Sequence, residues 1–292
     1  MASILVIGAH GSVGKELVPL LAAKGHAVLE ATHRQSTSAR HVHLDLVERT
    51  GIAATLSRVN RLFLLAPAGH MNQYELLLPV IEVARQYRLE KILLMTEMGA
   101  NAGPAGPLRR VEILLEESGV PFNIIRPNWF MQDFNTLWIR GIIERGQISL
   151  PVGEGKGSFI DTRDVAAVAA ELLSSDTWSN RDFDLTGGRA LDHDEVAEIL
   201  SSETQCSIRF DDISPEAMLA ALLGAHVQRD YALSLLATFE KFKAGHAERT
   251  TTAVESLTGT QPRSFRQYAK DYRSAWSPSA CLWPYALERT CA

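Results

Sequence analysis

The apolar run Ile4-Leu5-Val6-Ile7 leads straight into Gly8-Ala9-His10-Gly11-Ser12-Val13-Gly14, and from there apolar residues recur at three- and four-residue intervals to Ala23. Three glycines placed between a strand and a helix restrict the local geometry more than any other stretch of the chain. Gly8 permits a tight turn, Gly11 lets backbone N–H groups approach a pyrophosphate, and Gly14 lets the helix pack close to the strand. A helix that starts there turns unsatisfied donors and a partial positive charge toward an anion. In its strand–loop–helix setting the spacing predicts a dinucleotide cradle, with a glycine-rich packing turn as the bland alternative. A nucleotidase-type phosphate loop does not fit, because Lys15 is followed by Glu16 where a Ser or Thr should hold magnesium.

The rest of the first two thirds alternates short apolar runs with helix-period segments, the pattern of an α/β protein with a doubly wound parallel sheet. Strands are expected at 4–7, 27–31, 42–44, 62–66, 92–95, 122–126 and 183–185. Several are continuously apolar, as strands buried on both faces should be. Helices are expected at 13–23, 74–87 and 108–118, with Gly25 and Gly119 as stops. An aromatic-crowded helix at 129–143 and a glycine-rich loop at 151–157 follow, then a helix near 163–173 and C-terminal helices at 192–203, 215–223 and 229–243. The expected division is a dinucleotide-binding domain at 1–187 with a substrate-side insertion at about 129–158, a smaller, mainly helical lobe at 188–275, and a tail at 276–292.

Composition narrows the function. A net charge of −5, from 29 basic and 34 acidic residues, argues against nucleic acid as partner. Cys206, Cys281 and Cys291 lie far apart with no C-x-x-C pair, which speaks against a disulfide framework and suits a reducing cytoplasm. The first residues carry no basic leader, and no run of about 18 apolar residues exists to span a membrane. A small-molecule substrate is therefore the expected partner.

The second strand indicates which dinucleotide is bound. An NAD binder places an acid at that strand's end to hold the ribose hydroxyl. Here the strand runs out into His33-Arg34-Gln35-Ser36, where a guanidinium can clamp a 2′-phosphate and a hydroxyl can assist. NADP(H) is the expected cofactor, with Glu30, inside the strand, as the rival residue for a ribose contact. Asp45-Leu46, after the third strand, is a candidate border for the adenine, although an Asp there is also a turn former.

Taken together, the glycine loop, Met98-Gly99-Ala100, Ile125-Arg126-Pro127-Asn128-Trp129-Phe130-Met131, Phe159-Ile160-Asp161-Thr162-Arg163-Asp164-Val165-Ala166 and Phe183-Asp184-Leu185-Thr186-Gly187-Gly188 resemble the NmrA-like branch of the atypical short-chain dehydrogenases/reductases. The resemblance covers residues 1 to 274. It implies a Rossmann-like sheet and NADP(H), and a family that includes quinone and azo-type reductases, reductases of natural-product pathways and NADP-sensing regulators. Two departures stand out. His10 replaces the usual Thr of the loop, and Thr96-Glu97-Met98 precede Gly99-Ala100 where relatives carry Ser-Ser.

The proton donor of orthodox short-chain reductases is a Tyr-x-x-x-Lys pair. Tyr87 and Lys91 have that spacing but join a helix end to the fifth strand, whereas the pair belongs on the next helix, where Pro104 and Leu108 stand instead. Such a chain suits acceptors that need no strong acid: an iminium, a quinone or a conjugated enone. Ala66-Pro67-Ala68 and Thr96 are expected beside the nicotinamide half of the coenzyme. His70, Met71, Met98, Asn128, Trp129, Phe130, Phe134 and Trp138 are expected to contact an aromatic or polycyclic substrate, although such an aromatic stripe serves equally as packing. Glu97 and His70 are the candidates for acid–base work. Asp161, Arg163 and Asp164 read as helix-capping and bridging residues. His41-x-His43 shows no third ligand, so no metal is expected. A non-catalytic NADP(H)-sensing regulator and a non-redox rearrangement or cyclisation enzyme are the competing functions.

Overall fold

The computed structural model describes residues 1–33, 38 and 40–276. They form two compact units, each assembled from separate stretches. The first comprises Met1–Asn128, Thr162–Thr186 and Thr251–Pro262, and the second Trp129–Asp161, Gly187–Thr250 and the residues from Arg263 onward.

Seven parallel strands build the first unit. They are β1 (Ser3–Val6), β2 (Ala27–Thr32), β3 (His41–His43), β4 (Arg61–Leu65), β5 (Lys91–Met95), β6 (Phe122–Pro127) and, with β7 (Gln147–Leu150) falling in the second unit, β8 (Arg181–Leu185). Their order is β3-β2-β1-β4-β5-β6-β8. Winding runs outward in both directions from β1, so the switch point of a doubly wound sheet falls between β1 and β4, where ligand crevices form. The register sets Val6 between Glu30 and Phe63. Helices α1 (Gly14–Ala23), α2 (Ile52–Leu56), α3 (Gln73–Gln86), α4 (Pro107–Glu117), α6 (Thr162–Ser174) and α10 (Ala253–Thr258) belong to this unit. Leu5, Leu62, Leu64, Ile92, Leu94 and Ile124 carry its sheet into a core shared with Leu77, Val80, Val111 and Leu115 of α3 and α4. Strands sealed on both faces explain the unbroken apolar runs.

The second unit pairs β7 (Gln147–Leu150) in parallel with β9 (Arg209–Asp212). Around this ribbon stand α5 (Ile139–Arg145), α7 (His193–Thr204), α8 (Pro215–Gly224), α9 (Arg229–Lys243) and α11 (Phe265–Asp271). A full capping box starts α7: Asp192 accepts from the Glu195 backbone, and the Glu195 carboxylate returns to the Asp192 backbone. Neither strand shows in the sequence as a strong apolar run, and both were unexpected.

The single helix expected over 129–143 is broken. Phe130 pairs with Ile160 in an isolated bridge, Met131 donates to the Ile160 carbonyl, and a 3₁₀ turn spans Met131–Asn135 before α5 begins at Ile139. Backbone pairing at Phe130 fixes an extended conformation there; of the aromatic stripe that mimics helical periodicity, Phe134 enters the unit's core, with half-buried Trp129 and Trp138 packed against it. No helix among the described residues is long and apolar enough to cross a membrane.

Candidate functional site

At the carboxyl end of β1 the chain turns through Gly8, whose φ is +73°, and Gly11 donates back to the Gly8 carbonyl at 3.0 Å. Helix α1 follows at Gly14. A Cβ at Gly14 would lie 2.1 Å from the Gly8 carbonyl oxygen and 2.7 Å from Ala9 Cα, both backbone atoms that cannot swing aside. Helix and strand therefore meet as closely as the spacing implied. The first N–H groups of a helix have no partner within it; here Lys15 bonds back to the Gly11 carbonyl and Glu16 and Leu17 to that of Val13, so the donors left for an anion are the backbone N–H groups of Ser12, Val13 and Gly14. Gly11 and His10 are exposed and Ser12 is half-buried, while Val13 packs inward. A turn that requires glycine at positions 8 and 14, at a helix start beside the switch point, fits a dinucleotide pyrophosphate.

Neighbouring strands bring further expected residues to the same edge of the sheet. After β4, Ala66 and Pro67 are half-buried, Ala68 is exposed, and Gly69 turns with φ +83° into half-buried His70 and exposed Met71. After β5 come Thr96, exposed Glu97 and half-buried Met98, whose N–H bonds to the Pro127 carbonyl. Asn128, buried, follows β6 and donates from its backbone to Leu185. His33 is exposed just past β2. Arg34 and Ser36 lie outside the described residues.

Two expected residues are occupied with local work. Asp45 Oδ1 accepts from the backbone of Val47 and Glu48, closing its own turn, and Leu46 is buried in the core of the first unit. Trp129, Phe130, Phe134 and Trp138 belong to the second unit. There Phe134 is wholly buried against Trp138, Phe159 and Phe265, and Trp129 packs on Trp138, Phe239 and Phe242. In the same unit, burial pushes the Asp133 carboxyl up to about 7.

Tyr87 caps the end of α3 and is largely exposed, and Lys91 opens β5 at the amino edge of the sheet. The Lys91 ammonium is buried, donating to the carbonyls of Leu172 at 3.1 Å and Ser175 at 2.5 Å. Burial pushes its pKa down. Lys91 closes the end of α6.

Two clusters escaped the sequence reading. The first is a buried ion network. Glu112 on α4 is inaccessible to solvent and accepts from Arg126 Nε at 2.8 Å and Nη2 at 2.9 Å, from Arg109 at 2.9 Å and from the Thr96 hydroxyl at 2.8 Å. Arg126 on β6 also reaches Asp182 and Asp184. Burial pushes the Glu112 carboxyl up, but its hydrogen bonds with Arg126, Thr96 and Arg109 outweigh that and hold it below the ordinary carboxylate value. The hydroxyl of Thr96 thus faces this network. The second cluster surrounds Glu30. Its carboxylate is buried inside β2, with Arg40 Nε 3.6 Å from Oε1 and with His41 Nε2 at 3.4 Å and His10 Nδ1 at 4.0 Å from Oε2. His43 turns away to the Thr50 hydroxyl at 3.0 Å. The group around His41 therefore does not include His43, and its other two members come from elsewhere in the chain. Pairing of β2 with β3 brings Glu30 to His41, and the glycine loop adds His10.

A doubly wound parallel sheet with a glycine loop at its switch point defines a dinucleotide-binding protein. The model of an NAD(P)H-binding family matches residues 8–176, more than half of the chain, and the chain belongs to that family. It is similar to prestalk A differentiation protein A of Dictyostelium discoideum, 28% identical over 292 residues that cover 97% of this chain and 96% of the relative. It is also similar to an NAD(P)H azoreductase of Xenophilus azovorans, 28% identical over 287 residues, 94% of this chain and 99% of the relative. Among solved structures, NmrA, a negative transcriptional regulator in complex with NADP, superposes with a TM-score of 0.76 at 14% identity, over 96% of this chain and 98% of its own. The chain shares its fold with NmrA, and the family match together with the azoreductase relative supports an NAD(P)H-dependent oxidoreductase.

Proposed function

We propose that the protein is an NADP(H)-dependent reductase that transfers hydride to an electron-poor acceptor, a quinone, an iminium or a conjugated enone, in cytoplasmic specialised metabolism. The observation that carries this reading is the glycine cradle at the β1–α1 turn within an NAD(P)H-binding family. Selection of the 2′-phosphate is assigned to Arg34 with Ser36 and His33, and contact with the coenzyme to the loops after β4 and β5. The Tyr87–Lys91 pair is left out of the chemistry because Lys91 is bonded to helix carbonyls. An acceptor whose new charge is already neutralised or delocalised needs no strong acid, and positioning over the nicotinamide supplies much of the rate. The azoreductase relative supports an aromatic, electron-poor substrate. Trp129, Phe130 and Trp138 are assigned to it, with Glu97 and His70 as candidate proton donors.

The test is a fluorescence titration with NADPH and NADH, followed by loss of reduced-nicotinamide absorbance with a panel of quinones, iminiums and enones. NADPH is expected to bind more tightly than NADH, and Arg34→Ala to remove most of that preference. A preference for NADH, or an unchanged Arg34→Ala variant, refutes the coenzyme assignment. A second reading, an NADP(H)-sensing regulator, is favoured by the likeness to NmrA and by a relative named for differentiation. Tight NADPH binding with no turnover on any acceptor would select it.

A further inference from the structure

We propose that His10, Glu30 and His41 form a binding site for a divalent transition cation of the zinc class. Among the described residues this is the one cluster in which three such side chains bring their ligand atoms within 4.8 Å of one another. The three atoms are Nδ1 of His10, Oε2 of Glu30 and Nε2 of His41. Oε2 lies 3.4 Å from the His41 nitrogen and 4.0 Å from the His10 nitrogen. With metal–ligand bonds of about 2.0–2.2 Å, the ligand atoms of a tetrahedral site stand about 3.3–3.5 Å apart. The Glu30–His41 edge already has that length. The His10–Glu30 edge is longer, and His10 is the ligand able to shorten it: its side chain is 60% exposed on a loop, where a small rotation can draw its nitrogen inward.

The cluster is built on rigid parts. Glu30 and His41 are register partners across β2 and β3, so two ligands are fixed by strand pairing. The carboxylate is divided between two tasks: Arg40 approaches Oε1 at 3.6 Å, leaving Oε2 aimed at both imidazoles. An outer partner of this kind orients a ligating carboxylate. The two imidazole rings meet edge to face, with centroids 5.2 Å apart and planes at 68°. Two imidazole nitrogens and one carboxylate oxygen suit Zn²⁺, Co²⁺, Ni²⁺ or Cu²⁺, whereas Mg²⁺ and Ca²⁺ require oxygen ligands throughout. Three protein ligands leave the fourth position to water. A bound ion ties the glycine loop to β3, the edge strand of the sheet, and so stabilises a margin with a neighbour on one side only. The inference needs no coenzyme and stands whether or not the reductase reading does.

The test is calorimetric titration of the coenzyme-free, full-length chain with Zn²⁺, paralleled by Co²⁺ absorption spectra. One ion per chain is expected, with Co²⁺ bands of low-symmetry nitrogen and oxygen coordination and a rise in Tm. His10→Ala and His41→Ala should each weaken binding by more than the about 10–100-fold that loss of an outer partner costs, and Arg40→Ala by no more than that range. His43→Ala, whose imidazole turns to Thr50, should bind as wild type does. His10 is exposed, so its variant tests binding without disturbing the core. Absence of binding to the wild-type chain, or Zn²⁺ affinity unchanged in a His10→Ala/His41→Ala double variant of native circular dichroism, overturns the proposal. Equal loss in His43→Ala overturns the ligand assignment.

Discussion

Replacing Glu112 by Ala tests whether the buried network under the carboxyl edge of β5 and β6 is held by charge. The residue is fully buried and accepts four hydrogen bonds, two of them from Arg126. Hydrogen bonds to charged groups are worth about 1.5–3 kcal/mol each, and breaking a buried ion pair by deleting one partner costs about 3–5 kcal/mol, because the survivor is left charged in a dry setting. Arg126 retains Asp182 and Asp184, and Arg109 retains Glu116 at 2.7 Å, so part of the charge stays compensated. The expected loss is therefore about 3 kcal/mol, at the lower end of that range. Urea unfolding of Glu112→Ala, Arg126→Leu and the double Glu112→Leu/Arg126→Leu variant measures it. Paired apolar replacement should recover at least half of the loss, since removing both charges leaves neither stranded. The carboxyl is held below its unfolded value, so its contribution is fully present above the ordinary carboxylate pKa and disappears as pH falls through the lower folded value. A loss under about 1 kcal/mol in Glu112→Ala, or costs in the double variant equal to the sum of the singles, would refute the charge-pair account.

Three further outcomes are expected. His193 is wholly buried with neither ring nitrogen bonded, and burial pushes its pKa down to about 4. The unfolded chain takes up that proton first, so wild type should lose about 3 kcal/mol relative to His193→Phe as pH falls from 6.5 toward 4, read as the difference between two acid-unfolding curves, and parallel curves would count against it. Gly14→Ala forces a Cβ onto the Gly8 carbonyl oxygen; a cost of about 1–3 kcal/mol by thermal unfolding and loss of NADPH binding by fluorescence are expected, and a silent variant would contradict the close helix–strand approach. Lys91→Met leaves the carbonyls of Leu172 and Ser175 without their donor, for which urea unfolding should register about 1–3 kcal/mol.

The sheet strands of the first unit were legible because parallel strands sealed on both faces leave uninterrupted apolar runs, and the glycine loop because the backbone at Gly8 and Gly14 tolerates no side chain without strain. The second unit was less so. Gln147–Leu150 and Arg209–Asp212 pair at a distance of some 60 residues, and a short strand with two acids has no local signature. Residues 129–143 misled because ring packing around Phe134 repeats at helical spacing while Phe130 is pinned to Ile160. The same limit hid both polar clusters. Glu112 and Arg126 look like surface charges on amphipathic elements, and Glu30, His10 and His41 converge only when β2 and β3 pair beneath the glycine loop.

Helix α10 begins 68 residues past β8, the last strand of the seven-stranded sheet, yet it packs on α6 and β8 in the first unit. Such threading makes the nucleotide-binding half a product of late assembly: a nascent chain that has emerged only as far as β8 has all seven strands and an uncovered patch where α10 belongs. Limited digestion between 188 and 250 should therefore release no self-sufficient amino-terminal fragment, and nonsense truncations in that span should yield insoluble protein rather than a miniature binding module.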